Sequence, residues 1–130
     1  MREMLFRGKR VDNGEWAYGS LITETNPFDK NRVMTHIYDN GFNEILVDPR
    51  TIGQYTGVKD LPGTWIFEAD IVKVYDVYCN ETVVGVVEFC DGSFRIYDTD
   101  FTSYDRWMYY KVEVIGNAYD NQELLEEDKT

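Results

Sequence analysis

Residues 83–97 read VVGVVEFCDGSFRIY, two runs of β-branched and aromatic residues on either side of Asp91-Gly92. An Asp-Gly pair favours the two-residue turn of a β-hairpin because both positions tolerate a positive φ. With this pair as the turn, three cross-strand pairs are predicted: Phe89 with Phe94, Val87 with Ile96, and Glu88 with Arg95. The four apolar residues then share one face and the charged pair lies on the other, which is the pattern of a half-buried hairpin.

The rest of the chain repeats this pattern of short β-prone segments between turn residues. Further strands are predicted at residues 4–10, 16–23, 33–38, 45–47, 71–78 and 108–115. Residues 24–32, ETNPFDKNR, are predicted to form a polar loop, and residues 120–127 a short helix with capping-box spacing between Asp120 and Glu123. We therefore expect one mainly β domain over residues 1–130, a barrel-like arrangement of short antiparallel strands with a short C-terminal helix.

Composition excludes several classes of protein. The chain is 43% hydrophobic and 15% aromatic, which is typical of a packed globular domain and not of a disordered chain. No apolar run approaches the ~18 residues of a membrane-spanning helix. The N-terminal residues do not resemble a signal peptide, and the chain has two cysteines, so we expect a cytosolic protein with free thiols.

The charge of the chain is strongly asymmetric. The net charge is −11; residues 1–65 contribute −1 and residues 66–130 contribute −10. An acidic surface repels phosphate backbones, which disfavours nucleic-acid binding by the C-terminal half. The same surface attracts a basic protein partner, although a high negative charge is also an ordinary device for solubility.

A segment near the C-terminus combines aromatic and acidic residues, a composition typical of protein interfaces. The predicted interaction surface consists of Asp98, Asp100, Tyr104, Asp105, Trp107 and Tyr109. The alternative is that most of these rings belong to the core. Exposed β edges would also allow a homodimer.

Few residues favour catalysis or metal binding. The chain has a single histidine, His36, and its cysteines, Cys79 and Cys90, lack the close spacing of zinc ligands. No metal, cofactor or catalytic residue is therefore predicted. One alternative is a carboxylate-dependent hydrolase that uses Glu68 and Asp70, although these carboxylates are more typical of a capped turn.

A second alternative is direct nucleic-acid binding through a short basic cluster and exposed aromatic residues. The cluster consists of Arg2, Arg7, Lys9 and Arg10. It is much shorter than a typical nucleic-acid-binding arm.

Six blocks of the sequence, in order, resemble the YopX family of small phage and prophage proteins. They are FRGK at 6–9, GEWAYG at 14–19, VDPRTIGQYTG at 47–57, IFEADIV at 66–72, GVVEF at 85–89 and VIGN at 114–117. The resemblance implies a mainly β fold and a phage or prophage origin, and it implies no reaction. The family pattern has glycine where this chain has Ala69, so either the turn does not need a positive φ or it is mildly strained.

Together these features predict a non-enzymatic accessory protein. We expect it to contact a host or phage protein, with a basic surface, through its acidic C-terminal half.

Overall fold

The computed structural model describes residues 5–76, 80–99, 102–104, 106–107 and 110–126, apart from the side chains of Lys30 and Arg32. In chain order the elements are β1 (Phe6–Lys9), β2 (Trp16–Asn26), β3 (Asp29–Tyr38), β4 (Glu44–Leu46), a 3-10 turn (Pro49–Thr51), β5 (Gly53–Lys59), β6 (Trp65–Phe67), β7 (Asp70–Asp76), β8 (Glu81–Cys90), β9 (Ser93–Asp98), β10 (Ser103–Tyr104), β11 (Lys111–Asn117) and α1 (Glu123–Glu126).

The strands form two antiparallel sheets, with orders β4-β3-β2-β1-β5-β6 and β10-β9-β8-β7-β11. The mainly β class with a short C-terminal helix is confirmed. Over the described residues, each sheet is open and ends in two edge strands. Contacts divide the chain into unit 1 (Met1–Tyr55) and unit 2 (Thr56–Thr130).

Unit 1 begins with the predicted hairpin of β1 and β2. Gly14 has a φ of 73°, and its amide donates to the carbonyl of Arg10 at 2.9 Å. β1 also pairs with the start of β5, a strand that the sequence did not predict because Gly53 and Gly57 resemble turn residues. The small core of this unit consists of Ala17, Ile37 and Val47, with Phe6, Leu21, Ile45 and Ile52 packed against them.

The predicted polar loop at residues 24–32 is wrong. β2 continues to Asn26 and β3 begins at Asp29, so only Pro27 and Phe28 form the turn. The side chain of Asn26 accepts a hydrogen bond from the Phe28 amide at 2.9 Å and closes this turn. The side chain of Asn26 thus stabilises the turn, and β2 and β3 remain paired beyond the residues in which apolar and polar side chains alternate.

The outer part of this hairpin is a two-stranded ribbon. Within the described residues, β1 pairs with β2 only over residues 16–19, and β4 pairs with β3 only over residues 36–38. We call residues 20–35 the β-arm. The β-arm is not covered by a core on both of its faces. Polar residues can therefore occupy its strand positions with their side chains in solvent.

Unit 2 contains the hairpin predicted at residues 83–97, in the predicted register. Phe89 lies opposite Phe94, Val87 opposite Ile96, and Glu88 opposite Arg95. The turn residues Asp91 and Gly92 have φ values of 52° and 84°, as a type I′ turn requires. The core of the unit consists of Ile66, Val72, Val74, Val87, Ile96, Trp107 and Val112.

A buried carboxylate joins a turn to the edge strand of unit 2. Asp60 is 7% exposed. Its Oδ1 accepts hydrogen bonds from the amides of Gly63 and Thr64, and its Oδ2 accepts one from the amide of Val114 at 3.0 Å. One side chain therefore satisfies three backbone donors, and these hydrogen bonds compensate for the burial of the Asp60 carboxylate.

The C-terminal helix is shorter than predicted. α1 begins at Glu123, and the predicted first turn from Asp120 is instead a set of hydrogen-bonded turns at residues 117–122. Asn117 directs this change, because its side chain accepts hydrogen bonds from the amides of Tyr119 and Asp120. Leu124 and Leu125 are half-buried, and the helix contacts β8.

Candidate interaction surface

The acidic and aromatic segment predicted as an interaction surface is only partly on the surface. Asp98 is half-buried, and its Oδ1 accepts a hydrogen bond from the Thr102 amide at 2.8 Å. Tyr104 is half-buried, and its ring lies nearly perpendicular to that of Tyr110, with the ring centroids 6.1 Å apart. Both side chains therefore make contacts within the segment.

Trp107 is a core residue. It is 1% exposed, and its Nε1 donates a hydrogen bond to the carbonyl of Phe94 at 3.0 Å. The sequence suggested a surface position because aromatic residues are enriched both in cores and at interfaces. The other predicted surface residues, Asp100, Asp105 and Tyr109, lie outside the described residues.

The charge asymmetry of the sequence coincides with the division into units. Unit 1 has 7 Lys/Arg and 8 Asp/Glu, whereas unit 2 has 6 and 16, so the net charges are −1 and −10. In the described part of unit 2, the exposed carboxylates are those of Glu81, Glu88, Asp91, Glu113, Asp120, Glu123 and Glu126. The negative potential of the chain therefore originates mainly from unit 2.

An exposed aromatic ring lies among these carboxylates at the end of the β8–β9 hairpin. Phe89 is 55% exposed and contacts Phe94 edge to face, with ring centroids 5.1 Å apart. Glu88 precedes it, and Asp91 begins the turn two residues later; both are exposed. We call Glu88, Phe89 and Asp91 the hairpin end. The sequence predicted Phe89 on the apolar face of the hairpin; the structure shows that this ring is more than half exposed beside the turn.

Cys90 forms no disulfide, and its side chain is half-buried beside the hairpin end. Its hydrogen bond with the Tyr97 hydroxyl raises the pKa of Tyr97 above the ordinary value of 10.0.

The described residues of the basic cluster make contacts within unit 1. The Arg7 guanidinium and the Lys9 ammonium lie 4.4 Å and 5.4 Å from the Trp16 ring centroid. Arg10 forms two hydrogen bonds to the carboxylate of Asp12, at 2.9 Å and 2.8 Å. This pairing lowers the pKa of Asp12 and raises that of Arg10. Arg2 lies outside the described residues.

The carboxylate pair considered for hydrolysis forms part of a tight turn. Asp70 is 2% exposed, and its Oδ2 accepts a hydrogen bond from the Phe67 amide at 2.7 Å. Ala69 has a φ of 73°, so the turn does require a positive φ. The Ala69 amide donates to the Val87 carbonyl at 2.7 Å, and its carbonyl accepts from the Ala118 amide at 2.8 Å. Hydrogen bonds to β8 and to the residue that follows β11 thus hold Ala69 in this conformation.

The family model described as YopX protein matches residues 5–126. The chain belongs to the YopX family. A curated relative, the SPbeta prophage-derived uncharacterized protein YopX of Bacillus subtilis (strain 168), is 29% identical over 120 residues, which cover 88% of this chain and 78% of that protein.

Two crystal structures have the same fold. Protein yopX from Bacillus subtilis aligns with a TM-score of 0.59 and 22% identity, over 96% of this chain and 99% of that chain. Protein EF1440 from Enterococcus faecalis aligns with a TM-score of 0.57 and 26% identity, over the same shares. The two sheets described above are therefore the fold of this YopX member. In the described residues, no helix is long and apolar enough to cross a membrane.

Proposed function

We propose that this chain is a phage or prophage accessory protein that acts as a non-enzymatic binding module. Its partner is a host or phage protein with a basic surface, and the contact is made by unit 2. The single observation that carries this proposal is the hairpin end, where exposed Phe89 lies between exposed Glu88 and Asp91 in a unit of net charge −10.

The chemistry of the hairpin end supports a protein partner. An exposed aromatic ring can fill an apolar pocket and contribute most of the binding energy, while surrounding polar residues set specificity. Carboxylates at the rim increase the association rate with a basic surface, and salt weakens this effect. A nucleic acid would instead be repelled by the same carboxylates.

The prophage origin of the curated relative is consistent with an accessory role. A protein of this kind can act by occupying a surface on another protein, and it needs no catalytic residues to do so. The described basic residues Arg7, Lys9 and Arg10 already contact Trp16 and Asp12 within unit 1, which makes direct nucleic-acid binding the weaker proposal.

The test is affinity capture from host lysate with the full chain as bait, with and without nuclease and at two salt concentrations. A unit 2 variant combines Glu88→Gln, Phe89→Ser and Asp91→Asn. The matched unit 1 variant combines Glu15→Gln, Phe28→Ser and Asp29→Asn, and removes the same number of charges and one exposed ring.

We expect a nuclease-resistant protein partner whose capture falls with salt. The affinity of the purified partner should fall at least about tenfold in the unit 2 variant, because one hot-spot residue and two rim charges are removed. The unit 1 variant should bind like the parent chain. Nucleic acid in the eluate that disappears with nuclease, or equal binding by the two variants, would overturn the proposal.

A further inference from the structure

The pairing of β2, β3 and β4 brings three possible metal ligands to one face of the sheet in unit 1. His36 lies opposite Ile22 of β2 and opposite Leu46 of β4. Glu24 follows Ile22 by two residues, and Glu44 precedes Leu46 by two. Because residues two apart on a strand share a face, both carboxylates lie on the same side of the sheet as His36, on either flank of it.

The distances between these groups suit a metal ion. One ligand atom from each of Glu24, His36 and Glu44 lies within 4.8 Å of the others. His36 Nδ1 is 3.2 Å from Glu44 Oε1. Two ligands bound tetrahedrally at the usual zinc distances lie about 3.4 Å apart, so this pair is already near the required separation.

A buried nitrogen of His36 also indicates a metal site. His36 is 9% exposed, and its buried Nδ1 has no hydrogen-bond partner, since the contact with Glu44 lacks hydrogen-bond geometry. A buried imidazole nitrogen normally has a partner, and a metal ion held by the two exposed carboxylates would satisfy it.

We propose that Glu24, His36 and Glu44 form a binding site for a divalent transition-metal ion of the zinc type. One imidazole and two carboxylates favour such ions over Mg²⁺ and Ca²⁺, which prefer more numerous oxygen ligands. Two carboxylates also balance the charge of the ion. Three protein ligands leave a fourth position for water or an external group.

The site joins three neighbouring strands. Glu24 belongs to the β-arm, His36 to β3, and Glu44 to the three-residue edge strand β4. An ion that binds only the folded chain stabilises it, and here the bound ion would link β2, through Glu24, and the edge strand β4 to β3. This role concerns unit 1 and is independent of partner binding by unit 2.

The test is calorimetric titration of the full chain with ZnCl₂ in the presence of excess Mg²⁺, which occupies weak sites on the acidic surface of unit 2. We expect one ion per chain. His36→Gln should weaken binding at least about 100-fold, since even the loss of a residue that only supports a ligand costs 10–100-fold. Glu44→Gln tests an exposed ligand whose replacement does not disturb the core, and Glu15→Gln is the matched control with an exposed carboxylate outside the cluster.

A second measurement uses the unmodified chain. The ¹⁵N resonance of His36 Nδ1 should shift on addition of Zn²⁺, and Co²⁺ should give the visible absorption of a tetrahedral complex. An unchanged Nδ1 resonance would overturn the proposal. Binding of several Zn²⁺ ions with the same affinity in the parent, His36→Gln and Glu44→Gln chains would assign the ions to the general acidic surface and would equally overturn it.

Discussion

Unit 1 and unit 2 use β-sheet differently. Unit 2 packs one face of its sheet around a large apolar cluster that includes the fully buried Trp107, and it carries nearly all of the net negative charge. Unit 1 has a core of three buried residues, extends a ribbon of two strands, and is close to neutral. The comparison teaches that good packing and a high surface charge can occur in the same unit: the better-packed unit is also the one that presents the acidic surface. The four predictions below test this contrast.

The largest effect is expected for Asp60→Ala in unit 2. The substitution removes the side-chain acceptor of the Thr64 and Val114 amides, and it leaves the Gly63 amide with only the Asp60 backbone carbonyl. We expect the free energy of unfolding to fall by about 3 kcal/mol or more, measured by urea denaturation. Glu113→Ala, which removes an exposed carboxylate next to Val114, should change it by less than about 0.5 kcal/mol. Equal effects of the two substitutions would contradict the role assigned to Asp60.

A smaller loss is expected for Ile37→Ala in unit 1. Ile37 is completely buried, but its cluster is small and can relax around the cavity. We expect a loss of about 2 kcal/mol, at the lower end of the range for such substitutions. Ile96→Ala, at an equally buried position in the larger cluster of unit 2, should cost more. A greater loss from Ile37→Ala would reverse the contrast between the units.

A small gain is expected for Ala69→Gly. Alanine at a φ of 73° is strained, and glycine relieves this strain while increasing the entropy of the unfolded chain. The two effects partly cancel, so we expect a stabilisation of up to about 1 kcal/mol by chemical denaturation. Ala118→Gly, at a neighbouring position without a positive φ, should destabilise the protein. If both substitutions destabilise it, alanine is not strained in this turn.

The smallest effect concerns the pKa of Asp39 in unit 1. Hydrogen bonds from the amides of Asn43 and Gly41, the former being the stronger influence, hold its pKa below the ordinary value of 3.8. A carboxylate with a lowered pKa stabilises the fold above pH 3.8, and that contribution disappears as the pH falls through the folded-state pKa. A ¹³C titration of the side-chain carboxyl should give a midpoint below 3.8. A midpoint at or above that value would mean that these hydrogen bonds do not persist in solution.

Sequence reasoning succeeded where local signals and tertiary structure agree. The β8–β9 hairpin combines a favourable turn, β-prone strands and a consistent apolar face, and even its register was predicted correctly. β5 and β6 were missed, because their pairing depends on distant partners and their glycines and short length give no local pattern.

The residues of the candidate sites could not be brought together from the sequence alone. A polar loop at residues 24–32, as the sequence predicts, gives Glu24 no defined position relative to His36. Only the extension of β2 and β3 to a turn at Pro27 and Phe28 brings Glu24 to the face of His36. Likewise, the composition around Trp107 could not distinguish a core ring from an exposed one, and the apolar face predicted for the hairpin did not indicate that Phe89 is exposed.

The geometry of the β-arm has a consequence for protein engineering. Its turn consists of two residues, and Phe28 is 97% exposed at the far end of the ribbon. Exposed turns far from a packed core tolerate inserted sequence well, since the ends of an insertion remain close together and no core contact is lost. A peptide tag or a small reporter domain placed between Pro27 and Phe28 would leave both the hairpin end and the core of unit 2 unaltered in sequence. This turn is therefore a suitable insertion site for a tag with which to observe the protein inside a cell.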